Sequence, residues 1–328
     1  MSEVEKSSTS DFGRGSAAYG GDGWRGRENL HAEEIGTLWG GCGIDSEWRR
    51  LRRVILHRPG KEIAMDDHKA DASLFLSSLD LTRAQDEHDE LREIYVSAGV
   101  AVVDVEPLEP VSPNQMFCAD LLAMTPQGAI LARPASASRA GEEVHVAKAL
   151  ALSHVPILKT LIGQAVFEGA DLMWLDECTA LIGRGHRTNQ AAIEQITHLL
   201  AEIGCGAVVV DMPYGTMHLM GMVRIPAKDL AICWHRRTPH AAVVALKERG
   251  FDVQFVPEGE HARDLYRAMN FVTLDNRKVL MVRGVPQAQA FLESLHVECL
   301  TSPTDELAKA AGNMGCLTGV LERDLVPR

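Results

Sequence analysis

LLAMTPQGAILARP (121–134), LMWLDECTALIGRG (172–185), MVRIPAKDLAICWHR (222–236) and FVTLDNRKVLMVRG (271–284) share one order: an apolar run, a polar turn and a second apolar run. Each is followed by an amphipathic segment, within 140–154, 189–204, 239–250 and 286–296, and then by a further strand-like run: VPILKTL, AVVVDMP, FDVQFVPE and VECLTSP. The first strands open at Leu121, Leu172, Met222 and Phe271, which are 51, 50 and 49 residues apart. A fixed period with one supersecondary unit per period is the signature of a repeat architecture. The turns P-Q-G, D-E and D-N-R carry hairpin chemistry. Ile193, Ile196, Leu199, Leu200 and Ile203 recur at helical spacing, and Gly204 and Gly250 follow the segments as stop signals.

A ββαβ unit cannot cover its own sheet, so such units pack around a common axis. A fifth unit is assembled from both ends of the chain. LRRVILHRP (51–59), a helix within 81–99 and the strand VAVVDVEP (100–107) precede the four repeats, and CLTGVLER (316–323) falls one period after them. The C-terminal strand is expected to close the ring against the N-terminal unit. The predicted fold class is therefore α/β, a five-bladed α/β propeller of repeated ββαβ units with pseudo-fivefold symmetry. A doubly wound sheet is the weaker alternative, because no G-x-G-x-x-G or Walker motif follows any strand. Residues 1–40 read as a flexible Gly/Ser-rich N-terminal arm, in which Trp24 and Trp39 leave a lid or a partner-binding tail as the functional alternative. Residues 41–328 read as one α/β-propeller catalytic domain.

The chain of 328 residues has 46% apolar and 24% charged residues, which allows a sizeable core and excludes wholesale disorder. No stretch approaches a membrane helix, and MSEVEKSSTSDFGRG lacks the apolar centre of a signal peptide, so a cytoplasmic location is expected. Thirty-three Lys and Arg against 45 Asp and Glu leave a net charge of −12, which disfavours nucleic acid and anionic membranes and favours cationic or zwitterionic small molecules. Seven scattered cysteines contain no C-x-x-C pair and suggest neither a disulfide framework nor a structural zinc site. A homodimer is the base-rate expectation for the oligomeric state.

If the units are equivalent, residues just before each first strand meet at one end of the axis. They are Asp120, Glu168 with Asp171, His218, Asn270 and Cys316. Taken singly each has a bland reading, as a core histidine, a capping acid or a core thiol. Polar groups gathered at an axis are costly unless they serve one another or a ligand. A thiol of pKa ~8.5 needs a base or cation to act as a nucleophile, and His218 offers the minimal Cys/His pair. Carboxylates nearby oppose thiolate formation unless a cation arrives with the substrate. A guanidinium fits, since its fork of N–H donors matches two carboxylates and its charge favours the thiolate.

These residues resemble the guanidino-group modifying superfamily, which includes arginine deiminases, dimethylarginine dimethylaminohydrolases and glycine amidinotransferases. The resemblance covers about residues 48–325. PNQMFCAD (113–120) is similar to the F-x-R-D segment and implies Asp120 as a guanidinium-binding carboxylate, with Asn114 and Asp171 as further substrate-binding positions. SRAGEE (138–143) resembles the arginine–glutamate motif, FEGAD (167–171) the element carrying catalytic Glu168, and GRGHRTNQ (183–190) a segment whose Arg187 contacts the substrate carboxylate, helped by Arg139. HLMG (218–221) implies catalytic His218, and GCLTGVLER (315–323) implies Cys316 as nucleophile.

The resemblance implies the pentein form of the propeller and hydrolysis of a C–N bond in a guanidino substrate through a covalent amidino-thioether, without metal or organic cofactor. The alternative is amidino transfer to an amine. Two positions depart from the family pattern. Met220 replaces the Asp of H-x-D, which argues against plain arginine deimination and leaves one edge of the fork for an alkyl group, and Ala119 replaces the Arg of F-x-R-D. Cys118 reads as core packing rather than a second reactive thiol.

Overall fold

The computed structural model describes residues 15–257 and 267–326. Each of the four repeats forms a three-stranded sheet in which a hairpin is followed by a parallel third strand. These are β3 (Leu122–Thr125), β4 (Gly128–Leu131) and β5 (Ile157–Thr160); β6 (Leu172–Asp176), β7 (Thr179–Arg184) and β8 (Gly206–Asp211); β9 (Val223–Ala227), β10 (Leu230–Trp234) and β11 (Asp252–Val256); and β12 (Val272–Asp275), β13 (Lys278–Val282) and β14 (Glu298–Ser302). The second and third strands are parallel and need a crossover, which the helices Glu142–Leu152, Gln190–Glu202, His240–Glu248 and Pro286–Ser294 provide.

The fifth sheet joins the two ends of the sequence. β1 (Leu51–Leu56) runs parallel to β2 (Ala101–Asp104) across helix Leu81–Ser97, and antiparallel to β15 (Gly319–Arg323). Val54 pairs with Val320 and Ile55 with Gly319, so the last strand supplies the hairpin partner that the N-terminal unit lacks. The edges of the sheets touch in sequence. β15 lies against β3, the short turns 118–120, 169–171 and 219–221 lie against one another, β9 lies against β12, and β12 lies against β1.

Burial explains the strand sequences. β3, β4, β9 and β10 are buried at every position and are almost entirely apolar, whereas the outer strands β2, β5 and β8 expose part of each run. Helix Gln190–Glu202 buries Ile193, Ile196, Leu199 and Leu200 on one face, and Asn189 caps it by accepting from the Ala192 N–H at 3.0 Å. Two strand expectations shorten. The first ends at Leu56 rather than Pro59, because the next side chain, His57, turns to the Val105 carbonyl and Glu62 and Pro59 cannot donate to a ladder. The run from Val155 enters its strand at Ile157, because Pro156 accepts from the Ala129 N–H at 2.8 Å but has no N–H to donate.

Residues 1–14 of the N-terminal segment lie outside the described residues, as does Glu258 at the end of FDVQFVPE. The remainder of the segment is anchored at several points. Arg27 pairs with buried Glu34, His31 Nε2 lies 3.0 Å from the Gln127 carbonyl, and the Gly40 N–H donates to the His154 carbonyl at 2.8 Å. Among the described residues no helix is long and apolar enough to cross a membrane.

Candidate active site

The turns that open β3, β6 and β9 bring three side chains together. Asp120 ends the turn Cys118–Asp120, Glu168 is the N-cap of the turn Gly169–Asp171, and His218 is the N-cap of Leu219–Gly221. All three are buried. His218 Nε2 lies 2.7 Å from Glu168 Oε2, and its Nδ1 lies 3.7 Å from Asp120 Oδ1. Gly169 permits this approach, because a Cβ there would collide with the carbonyl oxygens of Leu122 and Ala119.

Two arginines bind the carboxylates from the outside. Arg139 Nη1 donates to Asp120 Oδ2 at 2.7 Å and to Glu168 Oε2 at 3.4 Å, while its Nε donates to Glu142 at 2.9 Å. Arg187 Nη1 donates to both oxygens of Glu168 at 3.1 Å. Both arginines thus organise acids within the protein. Glu142 is the partner that its spacing three residues after Arg139 signals, and it also accepts from the Ser112 hydroxyl at 2.5 Å.

Cys316 arrives from the opposite end of the sequence, on the short helix Met314–Leu317, whose N-cap Asn313 accepts from the Met314 N–H at 2.8 Å. The Asn270 amide donates to Cys316 Sγ at 3.0 Å and its oxygen accepts the Cys316 N–H at 3.1 Å. Cys316, Asp120, Arg139, Arg187 and Asn114 line one cavity together with Leu74, Phe117, Met217 and residues 310–312. It holds about 300 Å³ of space between atoms, part of it open to solvent. Gly312 packs flat on the Phe117 ring, where a Cβ would clash.

Burial would lower the His218 pKa, but Asp120, Glu168 and Asp171 overcome it and push the imidazole up to about 9. Burial raises Glu168, yet the His218 hydrogen bond and charge, with Arg139 and Arg187, hold it below the ordinary carboxylate range. The Cys316 thiol is raised, first by burial and then by Asp120, against the opposing Asn270 hydrogen bond and Arg224. At neutral pH the Cys316 thiol is therefore neutral, while Glu168 is ionised and His218 is cationic. Asp120 Oδ1 is buried and accepts no hydrogen bond, with His218 Nδ1 3.7 Å away, and Asp120 lines the cavity beside Cys316.

Asp171 occupies a different place from Asp120. It accepts from Thr188 Oγ1 at 2.6 Å and from the Leu219 N–H at 2.9 Å, and burial raises it to about 6. It fixes the turn that carries His218 and does not line the cavity. Asn114 lines the cavity, but its amide donates to the Ser73 carbonyl at 2.7 Å. Met220 and Ala119 line a separate internal space with Glu47 and Thr318, so Met217 rather than Met220 faces the Cys316 cavity. Cys118 is fully buried in the core, and burial raises its thiol strongly. Thr188 was not signalled by any motif as a group that positions an acid.

Asp120, Glu168 and His218 also offer three ligand atoms within 4.8 Å of one another, the spacing of a metal site. Arg139 bonds to both carboxylates there and His218 is itself cationic up to about pH 9, so positive charge already fills this space. The donor set fits a dication poorly.

The arginine deiminase family profile matches residues 108–222, the stretch that carries Asp120, Arg139, Glu168, Arg187 and His218. An N(G),N(G)-dimethylarginine dimethylaminohydrolase of Streptomyces coelicolor is 23% identical over 273 residues, spanning 81% of this chain and 96% of that protein. The chain belongs to the guanidino-group modifying superfamily. Solved members of the superfamily share its fold. The Pseudomonas aeruginosa dimethylarginine dimethylaminohydrolase in complex with citrulline matches with a TM-score of 0.68 at 19% identity, over 83% of this chain and 100% of that one. An amidinotransferase of the saxitoxin pathway from Microseira wollei matches with a TM-score of 0.71 at 15% identity, over 88% and 98%.

Proposed function

We propose that residues 41–328 form one catalytic domain, a five-bladed α/β propeller, that hydrolyses a C–N bond of a small guanidino compound, an arginine or N-substituted arginine derivative, through Cys316. The observation that carries the reading is that Asp120, whose buried Oδ1 accepts no hydrogen bond, lines the same cavity as Cys316. A guanidinium supplies the missing N–H donors, and its charge offsets the carboxylate that keeps the thiol neutral.

On binding, the thiol releases its proton to solvent and the thiolate attacks the central guanidinium carbon. The cationic His218 donates the Nδ1 proton, on the side opposite Glu168, to the departing nitrogen, and ammonia or an amine leaves. The neutral imidazole then takes a proton from water, whose oxygen adds to the amidino-thioether carbon. Collapse expels the Cys316 thiolate, the hydroxyl proton of the adduct passes to solvent, and a neutral ureido product remains. Glu168 stabilises the imidazolium in both protonated stages, and Asp171 holds the turn that carries it.

A mass-spectrometric screen of guanidino compounds, with and without an amine acceptor, tests the proposal. A ureido product without acceptor and a thiol adduct on Cys316 are expected. Product only when amine is added converts the assignment to amidino transfer, and full activity in Cys316→Ala overturns it.

A further inference from the structure

Arg224 lies on β9 directly after the His218 turn, in a position that no motif of the sequence marks. Its guanidinium is buried, donates through Nε to the Met269 carbonyl at 2.8 Å and stacks 5.9 Å from the centre of the Phe271 ring. These contacts hold it against residue 315. A Cβ on Gly315 would collide with Arg224 Nη2 and with Asn270 Oδ1 together, so the guanidinium and the amide that binds Cys316 press on the same backbone position. Arg224 reaches the nucleophile's turn without lining the cavity.

We propose that Arg224 is a positioning residue for Cys316: it fixes the Gly315–Cys316 turn against Asn270 and supplies a permanent positive charge to the thiol from outside the substrate cavity. The inference rests on Cys316 being the nucleophile.

The charges around the thiol define what Arg224 opposes. From the cavity Cys316 meets Asp120, with Arg139 and His218 beside that acid and Arg187 on Glu168 behind it. On its own side it meets the Asn270 amide and the backbone of Asn313. Arg139 and Arg187 are committed to Asp120, Glu142 and Glu168, so their charge is largely neutralised where it stands. Arg224 acts from a different direction. Beyond it lie Glu47, Tyr95 and Arg323, of which Glu47 feels the charge of both arginines. Within a buried turn a cation this close favours the thiolate, and substrate binding then has less proton affinity to overcome.

The test reads the thiol directly. Iodoacetamide alkylation of Cys316 is followed against pH by mass spectrometry on the tryptic peptide 310–323, in which Cys316 is the only cysteine. In Arg224→Met the alkylation midpoint is expected to rise by about one pH unit, and kcat near neutrality to fall about tenfold with KM nearly unchanged. Arg224→Lys keeps the charge and is expected to retain most of the wild-type midpoint. Arg224→Gln, a polar neutral replacement, carries the same expectation as Met where Met prevents folding. A midpoint unchanged in the neutral variants, or raised as far by Lys as by Gln, overturns the proposal. Alkylation needs no turnover, so a wild-type protein inert towards every guanidino compound defeats the hydrolase assignment while leaving this result readable.

Discussion

His218 Nε2 and Glu168 Oε2 stand 2.7 Å apart in a space that excludes solvent from both side chains. The pair is ionic at neutral pH, because Glu168 is held low and His218 is pushed up to about 9. A histidine raised in the folded state contributes stability that is fully present below its unfolded value of ~6.5 and is lost as pH rises through about 9. Urea unfolding of wild type and His218→Gln is therefore expected to show a stability difference that is largest below about pH 6.5 and shrinks towards pH 9. A difference that grows with pH contradicts the assignment. In Glu168→Gln the His218 titration, followed by NMR, is expected to move to lower pH, and the alkaline limb of kcat with it.

Asp120→Asn separates binding from nucleophile ionisation. Loss of the charged acceptor removes a hydrogen bond worth roughly 1.5–3 kcal/mol to a cationic partner, or about one to two orders of magnitude in kcat/KM. The same change relieves the Cys316 thiol, which Asp120 raises. Alkylation of Cys316 at neutral pH is expected to become faster while turnover falls. Slower alkylation in this variant shows that the carboxylate does not act on the thiol.

Cys316→Ser preserves the Asn270 contacts in outline and removes the soft nucleophile. Turnover is expected to drop by at least about three orders of magnitude, because a serine hydroxyl here has no free base beside it. Guanidino ligands are expected still to bind, read by calorimetry, since Asp120 keeps its open acceptor. Ligand binding in wild type is further expected to raise the ultraviolet thiolate absorbance near neutral pH. No rise on saturation shows that the substrate's charge does not drive ionisation.

The repeat was legible because hairpin and helix periodicity recur about every 50 residues, and β15 completing the sheet of β1 and β2 follows from counting units. Position within the unit picks out Asp120, Glu168, His218, Asn270 and Cys316; the first three form one cluster, Cys316 pairs with Asn270, and Asp120 and Cys316 line one cavity. The side-chain directions within that site were not legible. FEGAD places two acids three residues apart, but only the packing of Thr188 and the Leu219 N–H on Asp171 shows that one faces the histidine and the other holds its turn. A motif shows the charge of Arg139 and Arg187 but not the buried acids, Asp120 and Glu168, that each binds within the protein. Met220 follows His218 by two residues, yet the turn Leu219–Gly221 breaks the alternation that would have put both on one face.

Gly169→Ala tests how closely the turns must approach. The added methyl meets the carbonyl oxygens of Leu122 and Ala119, which are backbone atoms in adjacent buried segments and cannot swing aside as a flexible side chain can. Relief requires the turn Gly169–Asp171 to move away from β3, which lengthens the distance between Glu168 and Asp120 and weakens the grip of Arg139 on both. A loss of about 1–3 kcal/mol in unfolding free energy is expected from such overpacking. Because the shift also loosens the cage of charge around His218, its NMR titration midpoint is expected to fall below about 9. A folded variant with wild-type stability and an unmoved His218 midpoint shows that the close approach at Gly169 does not set the geometry of the acids.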